Sequence, residues 1–347
     1  MVRSVSFAHL WSVSAYLLLR PRCVASGEDK AGSCAVETLA EPLGNEPRRL
    51  ANATVVFLHL VSDDVADHSF PLIWPHGCEL KWFQDRRKRN MVNFRRHLPV
   101  FQERFLDVFK YPVTVLYSPF DGVEADLAEM KSLLAGSSVE TVSLPSFGKN
   151  NFHPPLQYKY GEYSDTCQMG ILAKQRGECF IDFAYKQMNY IFTYAMFFGT
   201  SALSKYRYWM RVDAEVELHE SPAEDPFVVM EQKGWMFSYY GEAPHSACDK
   251  GLPAALREFV ALQHITPPNR TFYEDYMDRN IHWPGFIGAG DLSFFQGLQY
   301  RSAIEYILQT GGIWKYRWDD QHLYAQVSAI FLPRNQTGQL SMNLTHR

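Results

Sequence analysis

Apolar and polar positions follow a regular order of predicted elements after residue 53. Short apolar runs at 54–61, 111–117 and 139–144 are rich in β-branched residues and are typical of buried strands. Between them, apolar residues recur at spacings of three and four over 98–109 and 123–134, which predicts two helices. Strand, helix, strand, helix, strand is the order of a parallel α/β sheet covered on both faces.

The second half of the chain continues these signals less regularly. The pattern predicts a loop, a buried helix, two strands and two further helices, at 154–177, 180–198, 206–212, 235–240, 302–310 and 319–330. Asp319 or Asp320 is expected to cap the last helix. The segment Trp318-Asp-Asp320, with His322 one turn on, either joins a functional site or only begins this capped helix.

The first 50 residues carry a different pattern. Arg3 precedes an apolar run that is too short for a membrane span of about 20 residues, and Cys23-Val-Ala25 resembles a cleavage site. We expect a signal peptide or a short signal anchor over 1–25, the latter giving membrane anchoring by the N-terminus. Polar and small residues predict a stem or linker over 26–50, which leaves 51–347 as one folded domain.

Composition narrows the class of protein. Of 347 residues, 46% are hydrophobic and 21% charged, as in soluble globular proteins, and the net charge of −4 argues against nucleic acid as a partner. Four Asn-x-Thr acceptor sequences indicate a secretory lumen, Golgi or endoplasmic reticulum, and they begin at Asn52, Asn269, Asn335 and Asn343. Six cysteines without a Cys-x-x-Cys pair argue against a zinc or redox site.

Two carboxylates follow one of the predicted strands. The segment Arg211-Val-Asp-Ala-Glu-Val216 places Asp213 and Glu215 two residues apart just after an apolar run. Ligands bind at the carboxyl ends of strands in α/β sheets, and Mg²⁺ or Mn²⁺ is often held by one or two carboxylates plus substrate phosphates. Arg211 is expected to hold Asp213 or to contact a phosphate. A solvated acidic loop explains the same spacing.

The stretch Tyr208-Trp-Met-Arg-Val-Asp-Ala-Glu-Val216 resembles the fungal-type α-1,2-mannosyltransferase family, in which a Tyr/Trp-rich strand precedes Arg-Val-Glu-Pro-x-Val. The resemblance extends over roughly 111–332. Other segments similar to the family occur in the same order: Tyr111-Pro-Val-Thr-Val, Tyr185-Lys-Gln-Met, Asp225-Pro-Phe227, Gly290-Asp-Leu-Ser-Phe-Phe295 and Thr310-Gly-Gly-Ile-Trp-Lys-Tyr-Arg-Trp-Asp-Asp320.

This resemblance implies a GT-A-type nucleotide-diphospho-sugar transferase fold, α/β, with a mixed, mostly parallel central sheet flanked by helices. It implies GDP-mannose as donor, Mn²⁺ (or Mg²⁺) as cofactor, and α-1,2 transfer with retention to a mannose-containing glycan acceptor on an N- or O-linked glycoprotein or a glycolipid. Asp213 then takes the place of the family's metal-binding Glu, with Glu215 second. Tyr185 matches an active-site Tyr that hydrogen-bonds in the donor site, or is a core tyrosine. His346 falls near the place of a metal-binding His, or is a frayed terminal residue.

One position departs from the family. Its candidate nucleophile, a Glu, falls at Gly288, inside the Gly-rich stretch Gly285-Phe-Ile-Gly-Ala-Gly-Asp291 that is expected to let the backbone approach a sugar closely. Glu242, after the predicted strand 235–240, is a candidate substitute. Asp291 is expected to orient the acceptor or to act as a base, and a helix N-cap is its alternative. Transfer then proceeds at the front face without a covalent intermediate, or the chain is a catalytically degenerate GT-A protein that binds carbohydrate or nucleotide sugar.

Overall fold

The structure is a computed structural model, and it describes residues 51–59, 78–120, 122–144, 188–244, 251–313 and 318–346, with the side chains of the first helix described from residue 88. One compact unit extends over Arg48–Arg347. The predicted segments 1–25 and 26–50 lie outside the described residues, as does Tyr185. Among the helices of the described ranges, none has the length and apolar character that a bilayer crossing requires.

Eleven strands are assigned over the described residues. In chain order they are β1 (Ala53–His59), β2 (Val113–Tyr117), β3 (Val139–Ser143), β4 (Tyr208–Val212), β5 (Val216–Leu218), β6 (Phe237–Tyr239), β7 (Ala243–Pro244), β8 (Ile281–His282), β9 (Ile287–Asp291), β10 (Thr337–Gln339) and β11 (Leu344–His346). Seven of them form one sheet in the order β10-β6-β9-β4-β1-β2-β3, and two small sheets pair β11 with β5 and β7 with β8.

The helices surround this sheet. In the described ranges they are α1 (Cys78–Phe101), α2 (Val123–Leu133), α3 (188–198), α4 (Pro226–Lys233), α5 (Leu252–Leu262), α6 (Arg270–Asp278), α7 (Leu292–Phe295), α8 (Leu298–Thr310) and α9 (Asp320–Phe331). α1 continues through a π-helical turn (Gln102–Leu106) into a last turn (Asp107–Phe109), and α3 contains a similar π turn (Ile191–Ala195).

The sheet is mixed and mostly parallel, as the sequence predicts. β1, β2, β3, β4, β6 and β10 all run in one direction, and β9 alone within the seven-stranded sheet runs against them, between β4 and β6. We call the edge at which the parallel strands end the carboxyl edge and the opposite one the amino edge. The last strand residues at the carboxyl edge are His59, Tyr117, Ser143, Val212, Tyr239 and Gln339.

Alternate side chains of β4 enter two separate cores. Tyr208 and Met210 pack with the apolar side of α1, including Phe94. Trp209 packs on the other face with Phe295 in an edge-to-face contact of 5.2 Å between centroids. Because side chains alternate along a strand, Arg211 emerges on the same face as Trp209. This alternation sets the direction from which Arg211 approaches the carboxyl edge.

Two elements differ from the sequence prediction. α1 begins 20 residues before the predicted start at Leu98, since the buried positions Met91 and Phe94 extend the apolar spacing into a stretch dominated by charged residues. Residues 287–291 of the Gly-rich stretch form a buried strand, β9, which the sequence analysis did not predict. A Cβ at Gly290 would lie 2.5 Å from Phe295 and 2.7 Å from Trp209, so the aromatic core explains the glycine there.

Candidate active site at the carboxyl edge

Asp213 and Glu215 lie in a tight turn at the carboxyl edge. The amide of Val216 donates to the carbonyl of Asp213 at 3.1 Å, which closes a four-residue turn between β4 and β5. The amide of Asp213 donates to the carbonyl of Phe286 at 2.9 Å, and this bond fixes the turn to the chain that enters β9. Both carboxylates are only partly exposed. The acid pair thus stands where ligands bind in open α/β sheets.

Arg211 holds the Asp213 carboxylate from the core side. Its Nε donates to Oδ1 at 2.8 Å and its Nη2 to Oδ2 at 3.1 Å, which is a two-point contact. The guanidinium is 2% exposed and lies 3.6 Å from the centre of the Phe192 ring. Asp213 keeps 22% of its side chain exposed. One side of its carboxylate is therefore fixed by Arg211, while the other reaches solvent.

Asp319 and Asp320 begin α9 and take different roles. Asp319 accepts from the amide of His322 at 3.0 Å and hydrogen-bonds to its Nδ1 at 2.5 Å, so Asp319 is the cap. Asp320 is fully buried, and its carboxylate contacts Nη1 of Arg211 across 109 positions of sequence. Asp320 is therefore part of the site. From the sequence alone, it either joined a functional site or only began a capped helix.

Phe286 connects the acid pair to His346. β11 pairs antiparallel with β5, and this register sets His346 opposite Val216, the residue after Glu215. The Phe286 ring stacks on the His346 imidazole with centroids 4.6 Å apart and 10° between the planes, while the Phe286 carbonyl accepts from Asp213. The terminal strand therefore brings His346 beside the turn. Sequence reasoning did not identify Phe286, since an aromatic before a Gly-rich strand has no recognisable signature.

Glu242 follows β6 at the same edge. Tyr276 Oη and Arg334 Nη2 each donate to its Oε1 at 2.5 Å, and Trp283 Nε1 donates to Tyr276 at 3.0 Å. Burial alone raises the pKa of Glu242, but hydrogen bonds from Tyr276 and Tyr239, together with Arg334, outweigh burial and lower this pKa below its ordinary value. Glu242 is therefore an anion whose charge Arg334 offsets.

Asp291, the other predicted catalytic carboxylate, lies at the amino edge. β9 runs antiparallel to β4, and Asp291 is paired with Tyr208, the first residue of β4, roughly 15 Å from Asp213 at about 3.3 Å per residue. Its carboxylate accepts from the amide of Ser293 at 2.8 Å as the cap of α7 and lies 3.2 Å from Nε of Arg207. Strand direction thus carries Asp291 away from the acid pair, and its contacts are those of the helix cap that was its alternative.

Gly288, at the family's Glu position, lies under an aromatic stack. It is paired with Arg211 on one side and Tyr239 on the other. A Cβ built at Gly288 would stand 3.0 Å from Cζ of Phe237. Trp283 stacks on Phe237 with centroids 5.0 Å apart and on Tyr239 with centroids 4.6 Å apart. Packed rings therefore fill the space into which a longer side chain at Gly288 would extend.

The donor atoms at the carboxyl edge suit Mn²⁺ or Mg²⁺. Asp213 and Glu215 offer carboxylate oxygens and His346 an imidazole nitrogen, all of which Mn²⁺ accepts. Within the described ranges no three His, Cys, Asp or Glu side chains are close enough to form a preassembled metal site. Mg²⁺-type sites often use one or two carboxylates and complete their coordination with water and substrate phosphates. These residues fit a cation that completes its coordination with water and with ligand phosphates.

Comparison with known proteins decides the family. A sequence model of the glycolipid 2-alpha-mannosyltransferase family matches residues 83–341, most of the chain. The chain belongs to this family. The match includes the acid pair, Gly288 and Asp320, and it ends before His346. The resemblance carried by the Tyr208–Val216 segment is thereby confirmed.

Among relatives in this family, glycolipid 2-alpha-mannosyltransferase 2 of Candida albicans is 25% identical over 153 residues. That match covers 42% of this chain and 33% of the relative, so the chain spans about a third of the length of the relative it matches. The similarity therefore supports family membership, whereas activity and substrate require their own argument.

Two solved structures share the fold. Core-mannan synthase A (CmsA/Ktr4) of Aspergillus fumigatus, in its Mn/GDP form, is 16% identical with a TM-score of 0.64, over 88% of this chain and 76% of that one. The mannosyltransferase Ktr4p of S. cerevisiae in complex with GDP is 17% identical with a TM-score of 0.63, over 85% and 71%. At these identities the likeness confirms the predicted GT-A-type fold and nothing finer.

Proposed function

We propose that this chain is a metal-assisted glycosyltransferase that moves mannose from GDP-mannose to a mannose-containing glycan in α-1,2 linkage. The observation that carries the proposal is the group Asp213, Glu215 and His346 at the carboxyl edge of a chain in this family. The acceptor is a sugar of an N- or O-linked glycoprotein or of a glycolipid.

In this reaction the bond between the mannose anomeric carbon and the GDP β-phosphate oxygen breaks. A bond from the same carbon to an acceptor hydroxyl forms, and the hydroxyl proton leaves with the diphosphate or through water. A divalent cation, when bound, offsets the charge on the departing diphosphate. Asp213, oriented by Arg211, would bind the cation with Glu215 and His346. Glu242, at the same edge, stays a predicted catalytic residue, and Tyr185 keeps its predicted donor-site role.

The absence of an acid at Gly288 shapes the mechanism. A double displacement requires a carboxylate next to the anomeric carbon, and even a Cβ at Gly288 would lie 3.0 Å from Cζ of Phe237, on which Trp283 stacks. We therefore infer front-face transfer, in which leaving group and acceptor share one side of the sugar and no covalent glycosyl-enzyme forms. This inference preserves the retention that the family resemblance implies.

The defining experiment is transfer by the purified protein. GDP-mannose and methyl α-mannoside are incubated with the protein and Mn²⁺, and NMR reads the linkage and the anomeric configuration of the product. We expect an α-1,2 disaccharide, loss of product with EDTA, and no product from Asp213→Asn. UDP- and CMP-sugars serve as donor controls. No transfer from any donor, with Asp213→Asn indistinguishable from wild type, contradicts the proposal.

A second function is favoured by Gly288 alone. A catalytically degenerate member of the family would bind nucleotide sugar or carbohydrate in the secretory lumen without turnover. Calorimetry separates the two functions: GDP binding that depends on Mn²⁺, combined with the absence of both transfer and donor hydrolysis, selects the binding protein.

We also propose a location in the secretory lumen, Golgi or endoplasmic reticulum. The support is the signal-like start and the four acceptor sequences. Asn335 is exposed in the 3₁₀ turn Arg334–Gln336, whereas the side-chain amides of Asn52 and Asn343 donate to Lys205 and Glu220. We expect Asn335 to carry an N-glycan. The Asn335→Gln variant should therefore lose less mass than the wild-type protein when a glycosidase removes the N-glycans, by the mass of one glycan. A chain from its native cells without any N-glycan would argue against this compartment.

A further inference from the structure

Arg211 connects two carboxylates that belong to different parts of the fold. Asp213 follows β4, and Asp320 begins α9 more than a hundred residues later. Nε and Nη2 of Arg211 bind Asp213, while Nη1 contacts Asp320. The Asp320 side chain is 0% exposed and that of Arg211 2%. Of the two acids, only Asp213 reaches solvent, and it does so at the carboxyl edge.

The loop before β9 closes over the contact between Arg211 and Asp320. A Cβ at Gly285 would lie 3.2 Å from Oδ2 of Asp320 and 3.3 Å from Nη1 of Arg211. The ring of Phe192 covers the face of the guanidinium. Glycine thus allows the backbone to shield the buried pair from water, and shielding strengthens each charge interaction within it.

The charge balance differs from that of a simple ion pair. Arg211 with Asp213 alone would be neutral, and its charge would compete with any cation for the Asp213 oxygens. Asp320 shares the Arg211 charge, so the three groups together carry a net charge of −1. Addition of Glu215 brings the local net charge to −2, which matches a divalent ion.

We propose that Asp320 is the positioning residue of the metal-binding carboxylate. It fixes Arg211 by contact and offsets its charge, so that Asp213 keeps both the orientation and the negative charge that a divalent cation requires. Asp320 touches neither cation nor substrate in this scheme and acts through Arg211. The proposal rests on the metal-binding role proposed for Asp213.

The test is Mn²⁺ affinity, measured by electron paramagnetic resonance and calorimetry on the full chain, with MnCl₂ alone and with GDP. Asp320→Asn conserves the shape of the side chain and removes its charge. We expect Mn²⁺ to bind roughly tenfold more weakly to this variant, as for other residues that orient metal ligands. The free-ion signal reports binding directly, so the result does not depend on transfer activity.

Asp319→Asn is the matched control. Asp319 is adjacent, buried and begins the same helix, but its carboxylate holds His322. Its replacement should lower the melting temperature slightly, because the charged contact with His322 is lost while asparagine still caps the helix, and it should leave Mn²⁺ affinity unchanged. A purely structural role of Asp320 predicts the same behaviour for Asp320→Asn, namely lower stability with wild-type Mn²⁺ affinity, and that result overturns the proposal.

A second variant keeps the proposal testable where Asp320→Asn does not fold. Arg211→Lys retains the charge but cannot contact both carboxylates in the same way, because lysine lacks the planar fork. Weaker Mn²⁺ binding supports the proposal, and unchanged binding contradicts it. Absence of Mn²⁺ binding by the wild-type chain, with and without GDP, instead overturns the proposed metal-dependent function and this inference together.

Discussion

Asp213 follows β4 and Asp291 is the last residue of β9, and these two strands are neighbours in the sheet, yet the two carboxylates lie at opposite edges. Asp213 shares the carboxyl edge with Glu215, His346 and Glu242. Asp291 stands at the amino edge, where it caps α7 and pairs with Arg207. The difference arises from one feature of topology, because β9 is antiparallel to β4.

The two carboxylates also differ in the groups that surround them. Asp291 is 2% exposed, and a backbone amide and a guanidinium bind its oxygens. Asp213 is held as firmly by Arg211 on one side but keeps a solvent-facing side. A carboxylate that is fixed on one side and open on the other is preorganised to bind a ligand, whereas one enclosed on both sides stabilises structure.

The largest effect should separate these two residues directly. Asp213→Asn removes the charge that faces the proposed cation, and we expect kcat/KM to fall by about a hundred- to a thousand-fold, as when a transition-state charge contact is lost. Asp291→Asn should leave kcat/KM within about twofold of wild type and lower stability by at most about 1 kcal/mol, because the charge pair with Arg207 is lost while asparagine still caps the helix. Initial rates and thermal unfolding measure both. Equal losses of activity in the two variants would remove the distinction between the edges.

A second prediction concerns the site of the family's Glu. Gly288→Glu should destabilise the fold by about 1–3 kcal/mol or more, because a Cβ there meets Phe237 at 3.0 Å and the carboxylate enters an aromatic stack. Gly241→Ala, where a Cβ meets nothing within 4 Å, is the control and should be nearly neutral. Chemical denaturation reads both variants. A folded Gly288→Glu protein that transfers faster, with a covalent adduct in its mass spectrum, would show that the position accepts a nucleophile.

Sequence alone predicted the parts of the fold whose signals are local. β1, β2 and β3 are β-branched runs, and the helices between them carry apolar residues at helical spacing, so each element is legible within a short window. β9 was missed because Gly288, Ala289 and Gly290 lack β propensity. It is a strand because β4 and β6 pair with it on both sides, an interaction between segments distant in the chain.

For the site, too, the sequence predicted the local features and missed a contact between distant segments. The spacing of Asp213 and Glu215 after an apolar strand indicated a cation site, and the structure brings His346 beside them through the β11–β5 pairing. The contact between Arg211 and Asp320 could not be predicted from the sequence, because a contact across 109 positions leaves no local pattern. The choice between Asp319 and Asp320 as helix cap was equally open, since both residue types cap well.

A smaller effect is expected from each of the other proposed metal ligands at the carboxyl edge. Glu215→Gln and His346→Gln each remove one proposed ligand and leave Asp213 and Arg211 in place. We expect each to weaken Mn²⁺ binding by about tenfold, or about 1.4 kcal/mol, without loss of stability, since both side chains are at least partly exposed. Glu220→Gln, exposed and near β11, is the control. If the His346 variant binds Mn²⁺ with wild-type affinity, His346 is a terminal surface residue and not a metal ligand.

The smallest effect concerns Glu242. It lies at the carboxyl edge, but protein donors bind its carboxylate, as they bind that of Asp291. Its pKa is lowered in the folded chain because hydrogen bonds from Tyr276 and Tyr239 and the charge of Arg334 outweigh burial. A lowered pKa means that the stabilisation is present above the unfolded-state pKa and is lost as the pH falls through the folded-state value.

Glu242→Gln should therefore flatten the decline of unfolding free energy between about pH 5 and pH 3, by no more than about 1 kcal/mol because the pair with Arg334 is partly exposed. Denaturant titrations at several pH values measure this slope, and Glu274→Gln, which replaces a partly exposed carboxylate on α6, is the control. A steeper acid decline in the Glu242 variant would mean that burial dominates, and that Glu242 is closer to a ligand-facing carboxylate such as Asp213 than to an enclosed one.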